Sequence, residues 1–446
     1  MLEKEKIINA LTPIAKSKKG DALAVSFSRY HHCVSKFANS RITQNLEDDD
    51  ITIYIKVIDS GRTGVASTNS LGKNELQRTL EGAASIARFS PKTPQKAVLP
   101  KLKDIKIKEI KTYFPYTADF AINNRRALMQ EIFKNIKSAG FEPSGTILTG
   151  TEEMAVLGSD GKFLYQPFSI ASLKLIAQKD AQVGFASALS RDITSFDLRN
   201  LTSFACEKAK LNNRQKEIEP GKYDCILEPE AVAEIIDWLG YIGFGAKSFA
   251  EHTSFLSGRI EQKIMQDNIT IYDDGLDENG LAMPFDFEGM PRQKVTLIER
   301  GIAKGLVYDT EYGSIYKKPS TGHALTPDST DGPLPMNLAM AAGDATLDEM
   351  ISSLKKGILI SRFHYVNGFL NPREALMTGL TRDGTFLIRQ GKIKCALGNL
   401  RFTESILGAL NRAAMISKER KLIGDPNSDV GATLVPAILV RDFTFT

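Results

Sequence analysis

The segment Ile51-Thr52-Ile53-Tyr54-Ile55-Lys56-Val57 constrains the fold more than any other stretch of this chain. Apolar and polar side chains alternate through it, and period-two alternation marks a strand with one buried and one wet face. Short runs rich in β-branched residues flank it at Ala22–Ser28, Ile42–Glu47 and Thr63–Ser67. Adjacent strands of this kind read as an antiparallel sheet. Asn74 to Leu80 then places apolar residues at helical spacing, and Ala83, Ala84, Ile86 and Ala87 continue the stripe, so one helix packs on that sheet. Ahead of the strands, Glu3 to about Lys19 carries Ile7, Ile8, Leu11 and Ile14 at helical spacing, disturbed by Pro13.

A similar series follows: a helix around Ala118–Ala139, strands at Ile147–Leu157 and Phe163–Pro167, a long strand pair within Ser172–Ala188, and a helix near Leu198–Leu211. Ser159-Asp160-Gly161 forms a hairpin turn. Helices beside antiparallel strands predict an α+β fold rather than a doubly wound parallel sheet. A chain of 446 residues exceeds what one core usually organises. We divide it at Pro220-Gly221, after the charged stretch Arg214–Glu219. Residues 1–219 form an N-terminal α+β region, with a possible subdivision near 100–117. Residues 220–446 form a β-rich C-terminal domain that opens on a helix from Glu230 to Phe249.

No run approaches the roughly 20 apolar residues of a membrane span. The start, Met1-Leu2-Glu3-Lys4-Glu5-Lys6, lacks the apolar core of a secretory signal, so a cytoplasmic location is expected. Cys33, Cys206, Cys225 and Cys395 are scattered singly and read as reduced, buried thiols. A net charge of +4 is small, and no concentrated basic face argues for nucleic acid. The densest lysine run, Lys101–Lys108, alternates with Leu and Ile and predicts a half-buried strand.

The five histidines offer no ligand pair at i, i+4 spacing. His31 and His32 are neighbours in a strand region and therefore point to opposite faces, which argues against joint metal binding. His252 reads as a helix-end or loop residue. Gly243-Phe244-Gly245-Ala246-Lys247-Ser248 matches neither phosphate-loop pattern and predicts a glycine-containing helical turn or close contact. Glu47-Asp48-Asp49-Asp50 is expected to be a solvated turn. Thr296–Leu306 and Thr385–Ile393 are hairpins, and their exposed edges could accept an extended peptide as an added strand.

Several segments together resemble the TldD/PmbA family, whose members are also described as modulators of DNA gyrase and as metallopeptidases. They are Pro220–Val232, Ser254-Phe255-Leu256-Ser257-Gly258-Arg259-Ile260, Tyr272–Gly275, Pro284–Gly289, Gly379–Ile388 and Asn399–Ser405, with residues 1–219 matching less specifically. The resemblance implies dimers enclosing a channel for unfolded peptides. In TldD-type members it also implies zinc on a His-Glu-x-x-x-His helix and a late cysteine. Counting back from Ser254 places that helix at Asp237-Trp238-Leu239-Gly240-Tyr241-Ile242, where Asp237, Trp238 and Ile242 stand at the motif positions. Gly424–Pro436, which includes Asp429-Val430-Gly431-Ala432-Thr433, has no cysteine. The chain is thus similar to the PmbA, or TldE, branch, expected to hold no metal itself and to pair with a zinc-bearing TldD-type subunit or with itself. Alternatives are a peptidase with a rearranged site using His252, His323 or His364, and a homodimeric, non-proteolytic peptide-binding module. Arg259, Asp286, Glu288 and His323 are the candidates for lining the channel.

Overall fold

The computed structural model describes residues 4–17, 19–92, 98–213, 215–426 and 431–446. Met1–Glu3, Lys18, Arg214 and Asn427–Val430, on which four of the readings above partly fall, lie outside them. Its first sheet has six antiparallel strands in the order β3-β2-β1-β4-β5-β6. These are β1 (Ala22–Ala38), β2 (Arg41–Asp59), β3 (Arg62–Thr68), β4 (Glu142–Gly158), β5 (Phe163–Lys179) and β6 (Gln182–Ser190). The helices α1 (Lys4–Ala15) and α2 (Lys73–Phe89) accompany the first three strands. Between them and the next strands lie the short helix α3 (Pro115–Ala118) and α4 (Ile122–Ser138), and α5 (Leu198–Leu211) follows β6. The two halves repeat one plan: helix, three strands, helix.

One pair of glycines records that repetition. A Cβ on Gly64 of β3 would stand 2.1 Å from the Ala83 carbonyl oxygen and 2.4 Å from the Ala87 nitrogen of α2. On Gly184 of β6 it would stand 1.9 Å from the Ala205 oxygen and 2.5 Å from the Ala209 nitrogen of α5. In both halves, a glycine on the outer strand lets the backbone of a small-residue helix face press against the sheet. The halves keep separate cores. Val25, Phe27, Ile55, Leu76 and Leu80 belong to the first, and Ile132, Ile136, Leu173, Leu175 and Ala205 to the second.

The second sheet has eleven strands and is mixed. Its centre is β7 (Gly221–Leu227), β12 (Lys356–Asn371), β13 (Leu376–Arg389) and the long β17 (Ala432–Phe445). The strands β8 (Ile271–Asp273), β9 (Val295–Glu299), β10 (Ile302–Ala303) and β11 (Leu338–Met340) extend one side. β14 (Lys392–Ala396), β15 (Arg401–Ser405) and β16 (Ala413–Gly424) complete it. The helix α6 (Pro229–Gly243) lies on this sheet and buries Ala231, Val232, Ile235, Ile236, Leu239 and Ile242. The architecture is α+β. No helix among the described residues is long and apolar enough to cross a membrane.

Four local expectations need correction. Glu47–Asp50 is no turn but the exposed middle of β2, because β1 and β2 form one long hairpin that reverses at Asn39 and Ser40. Both turn residues have positive φ, 50° and 59°, as a tight hairpin turn requires, without the Asn-Gly pair that would announce it. Lys101–Lys108 has the anticipated burial alternation, with Leu102 buried and Ile105 and Ile107 packed near Phe285, but it finds no ladder partner and forms no strand. Pro167 does not end its strand. It lies within β5 where β6 has not yet begun to pair, so its missing N–H breaks no ladder on that side. The helix from Glu230 stops at Gly243, where a Cβ would fall 2.0 Å from the Phe255 ring, and a short turn of helix at Ala246–Ala250 follows.

Candidate functional site

The polar face of α6 looks into a cavity of about 560 Å³ between the two sheets. Pro229 occupies the first turn, where its missing N–H costs nothing, and the helix then repeats Glu230, Glu234, Asp237, Trp238 and Tyr241 along one side. Opposite stand Lys174 and Phe185 from the first sheet, Arg362 and Phe369 of β12, and Asp425 and Gly431 at the ends of β16 and β17.

Most charges there are already paired. Lys421 reaches Glu230 at 2.5 Å, Lys174 reaches Asp425 at 2.6 Å, and Arg362 pairs with Asp383 while stacking 4.4 Å over the Phe185 ring. Thr433 donates its hydroxyl proton to Asp237. Desolvation in the pocket, with help from nearby Glu234, pushes Asp237 up to about 7 against that hydrogen bond. Burial also raises Glu234. Trp238, Tyr241 and Phe369 pack edge to face, with ring centroids 5.1–6.2 Å apart. Phe369 is 57% exposed, so the aromatic wall reaches the surface.

The four residues selected for the channel do not meet. Asp286 is fully buried and accepts from the backbone N–H groups of Glu288, Met290 and Ala324. His323 is also fully buried, with Nε2 2.8 Å from Asp273 and Nδ1 2.9 Å from the Thr321 carbonyl. Burial lowers the His323 pKa, opposed by Asp273. Both side chains close turns of the β8–β11 region and present nothing to a passing peptide. Glu288 joins the two sheets, 3.5 Å from Lys56 and accepting from the Thr310 N–H, and lines a separate cavity of about 400 Å³. Arg259 sits on a loop, paired with Glu374 at 2.8 Å. Nor do the histidines of the rearranged-site alternative cluster. His252 is exposed after the Ala246–Ala250 helix with φ of 57°, and His364 lies on β12 against Tyr365.

Residues 220–446 match the PmbA/TldA metallopeptidase C-terminal domain, and residues 24–87 match domain 1 of the same metallopeptidases. The chain belongs to the PmbA/TldA metallopeptidase family. A metalloprotease TldD homolog of Buchnera aphidicola is 23% identical over 416 residues, covering 86% of this chain and 82% of that protein. An uncharacterized protein of Methanocaldococcus jannaschii is 24% identical over 279 residues, a match spanning less than two thirds of either chain. Among solved structures, TldE from Thermococcus kodakarensis superposes with a TM-score of 0.86 at 21% identity, covering 98% of this chain and 100% of that one. A protein described as a putative modulator of a DNA gyrase from Thermotoga maritima gives 0.85 at 17% identity, covering 99% and 100%. At these identities, the superpositions establish the shared fold.

In this PmbA/TldA chain, the three motif positions on α6 do not supply the ligands of a catalytic zinc. Such a site needs three donors of the His, Cys, Asp or Glu type with one position left open. Of the three motif positions, Ile242 is in the core and Trp238 offers no ligand atom. Asp237 is held by Thr433 and stays protonated up to about neutral pH. Thr433 belongs to the segment where the resemblance implies the late cysteine, so the helix and that segment do converge, through an uncharged hydroxyl. Asp237 stands at a motif position, but no spacing in the sequence points to its partner Thr433. His31 and Cys33, two residues apart on β1, also share a face with Glu47, a grouping absent from the expectations above. The His-x-Cys spacing within a strand was the available signal.

Proposed function

We propose that this chain is the metal-free subunit of a cytoplasmic TldD/TldE-type metalloprotease complex, acting on unfolded peptides beside a zinc-bearing TldD-type partner. The pocket on α6 carries this reading. Its scaffold is kept, with the helix and the late strand still touching through Asp237 and Thr433, while no three ligands stand at the motif positions. Loss of ligands inside a preserved scaffold suits a subunit whose chemistry is supplied by another chain. The aromatic wall of Trp238, Tyr241 and half-exposed Phe369 offers an extended segment apolar contact of low side-chain specificity. Open strand edges add main-chain hydrogen bonds of the kind that hold peptides by strand addition.

The test is peptide cleavage by the purified chain alone and mixed with a TldD-type homologue that carries His-Glu-x-x-x-His. The lone chain is expected to be inactive and the mixture to cleave an unfolded peptide in a chelator-sensitive way, with a rate above that of the homologue alone. Cleavage by the lone chain would overturn the proposal. Peptide capture without any cleavage, even beside the partner, would favour the homodimeric binding module instead.

A further inference from the structure

The β1–β2 hairpin holds a donor cluster that the pocket lacks. His31 and Cys33 are separated by one residue on β1 and so project from the same face. In the register of the hairpin, Cys33 is opposite Glu47, and His31 is opposite Asp49. His31 Nε2 lies 2.8 Å from Glu47 Oε1, and the ligand atoms of His31, Cys33 and Glu47 all lie within 4.8 Å of one another. His31 and Cys33 are half-buried and Glu47 is exposed, so a cation can enter from solvent.

We propose that His31, Cys33 and Glu47 bind one zinc ion, with the fourth position open to water or to a ligand from outside the chain. Imidazole, thiolate and carboxylate on one centre favour zinc over the hard cations magnesium and calcium. Tetrahedral bond lengths of 2.0–2.3 Å place ligand atoms roughly 3.3–3.8 Å apart. The two strands already hold all three side chains within 4.8 Å of one another, so small side-chain rotations bring their ligand atoms to that spacing. On binding, Cys33 gives its thiol proton to solvent and the thiolate takes the Zn–S bond. One thiolate and one carboxylate then neutralise the dication.

The surroundings suit that change. Buried Arg125 of α4, which donates through Nη1 to the Phe120 carbonyl and the Thr149 hydroxyl, stands beside Cys33 with an Nε that has no hydrogen-bond partner among the described residues. The neighbouring carboxylate cannot compete for the ion freely, because Asp49 accepts from both Nε and Nη2 of Arg29 at 2.7–2.8 Å. This cluster lies on the first sheet and shares no residue with the cavity on α6.

Cobalt titration of the reduced, metal-stripped, full-length chain tests the site. One equivalent of Co²⁺ should produce a thiolate-to-cobalt charge-transfer band, and Zn²⁺ should abolish it by displacement. The band should vanish in Cys33→Ser, persist in Cys395→Ser, and require at least about tenfold more Co²⁺ in His31→Ala and Glu47→Gln. A wild-type chain without the band, or a band that survives in Cys33→Ser, would overturn the proposal. These readouts involve no peptide and no partner, so they stand or fall separately from the proposed protease role. Zinc found in the lone chain and lost in Cys33→Ser belongs to the hairpin and leaves the pocket metal-free.

Discussion

On α6, the positions that the family resemblance assigns to the His-Glu-x-x-x-His motif carry Asp237, Trp238 and Ile242, whereas on β1 and β2 three donor side chains stand together. The difference lies in how each place is built. The pocket depends on a helix near residue 237 meeting a strand near 433, through a core of Leu239, Ile242, Val435 and Ile438 that stays intact whatever the polar positions carry. Its geometry therefore rests on that core and not on the polar positions. The hairpin cluster depends only on the pairing of two adjacent strands, so a few side chains at the right register suffice to assemble donors.

The two regions are expected to fail independently, and the largest effect should come from the pocket's support. Buried Glu228 immediately precedes α6 and accepts from both Lys208 Nζ, at 2.7 Å to each oxygen, and Ser361 Oγ at 2.6 Å. Lys208 is on α5, so this ion pair ties the first sheet's last helix to the pocket helix. Lys208→Met would leave a buried carboxylate without its cation, at a cost of about 3–5 kcal/mol. Trp238 is the only tryptophan and lines the pocket, which makes its fluorescence a local reporter. In denaturant, its transition should move to lower concentration in Lys208→Met. If the cobalt band at the hairpin moves equally, the two regions unfold as one unit and the comparison is broken.

Asp237→Asn comes next, and its effect depends on pH. The carboxyl titrates near 7 in the folded chain against an ordinary value of 3.8, so between those values the folded state holds a proton that the unfolded state has released. Stability from this group is therefore fully present below about pH 4 and is lost as pH rises through 7. Asparagine keeps the neutral form at all pH values and can still accept from Thr433. It should match the parent at pH 4 and exceed it by about 2–4 kcal/mol at pH 8. Equal stability of the two proteins across that range would mean that Asp237 is ionised and solvated, and the pocket would then retain one competent carboxylate.

Much of the frame was legible in the chain because period-two and helical spacing report which face is buried. Ile51–Val57 lies in β2, Leu198–Leu211 is α5 to the residue, and the repeated helix–strand plan showed itself in the succession of elements. What was lost is set by turn chemistry and by tertiary contact. Asn39-Ser40 hid a hairpin turn, so the acidic residues of β2 read as a loop. Asp286 and His323 are polar residues in or near the segments that carry the family resemblance, yet they are buried and partner turns and neighbouring side chains of their own domain. The Asp237–Thr433 contact joins residues 196 positions apart, a distance over which spacing carries no information. His31 was weighed only with His32, its neighbour on the opposite face, and not with Cys33 on its own.

Zinc should act on the hairpin alone. If the three donors bind it, a concentration one hundred times the dissociation constant stabilises the folded chain by about 2.7 kcal/mol, and Cys33→Ser removes the gain. The emission of Trp238 at native conditions should not change, while addition of an unfolded peptide should change it. A zinc-induced shift of Trp238 emission in Cys33→Ser would mean that the ion reaches the α6 pocket, reversing the assignment of the two regions.

The smallest effect is expected at Arg259, which belongs to neither region. Its guanidinium bonds Glu374 at 2.8 Å and the Arg373 carbonyl at 3.2 Å, with 32% of its side chain and 56% of the glutamate's in solvent. Exposed pairs of this kind contribute ~0–1 kcal/mol because water and salt screen them and two long side chains must be ordered. Arg259→Ala should shift chemical unfolding by no more than that, and the shift should shrink at high ionic strength. Its other readout bears on the pocket. Arg259 was selected as a channel residue from the sequence, and a surface ion pair predicts unchanged cleavage when the variant is assayed with its TldD-type partner. A severalfold loss of that cleavage, with stability unchanged, would place the peptide path across the Arg259 loop as well as the aromatic wall of α6.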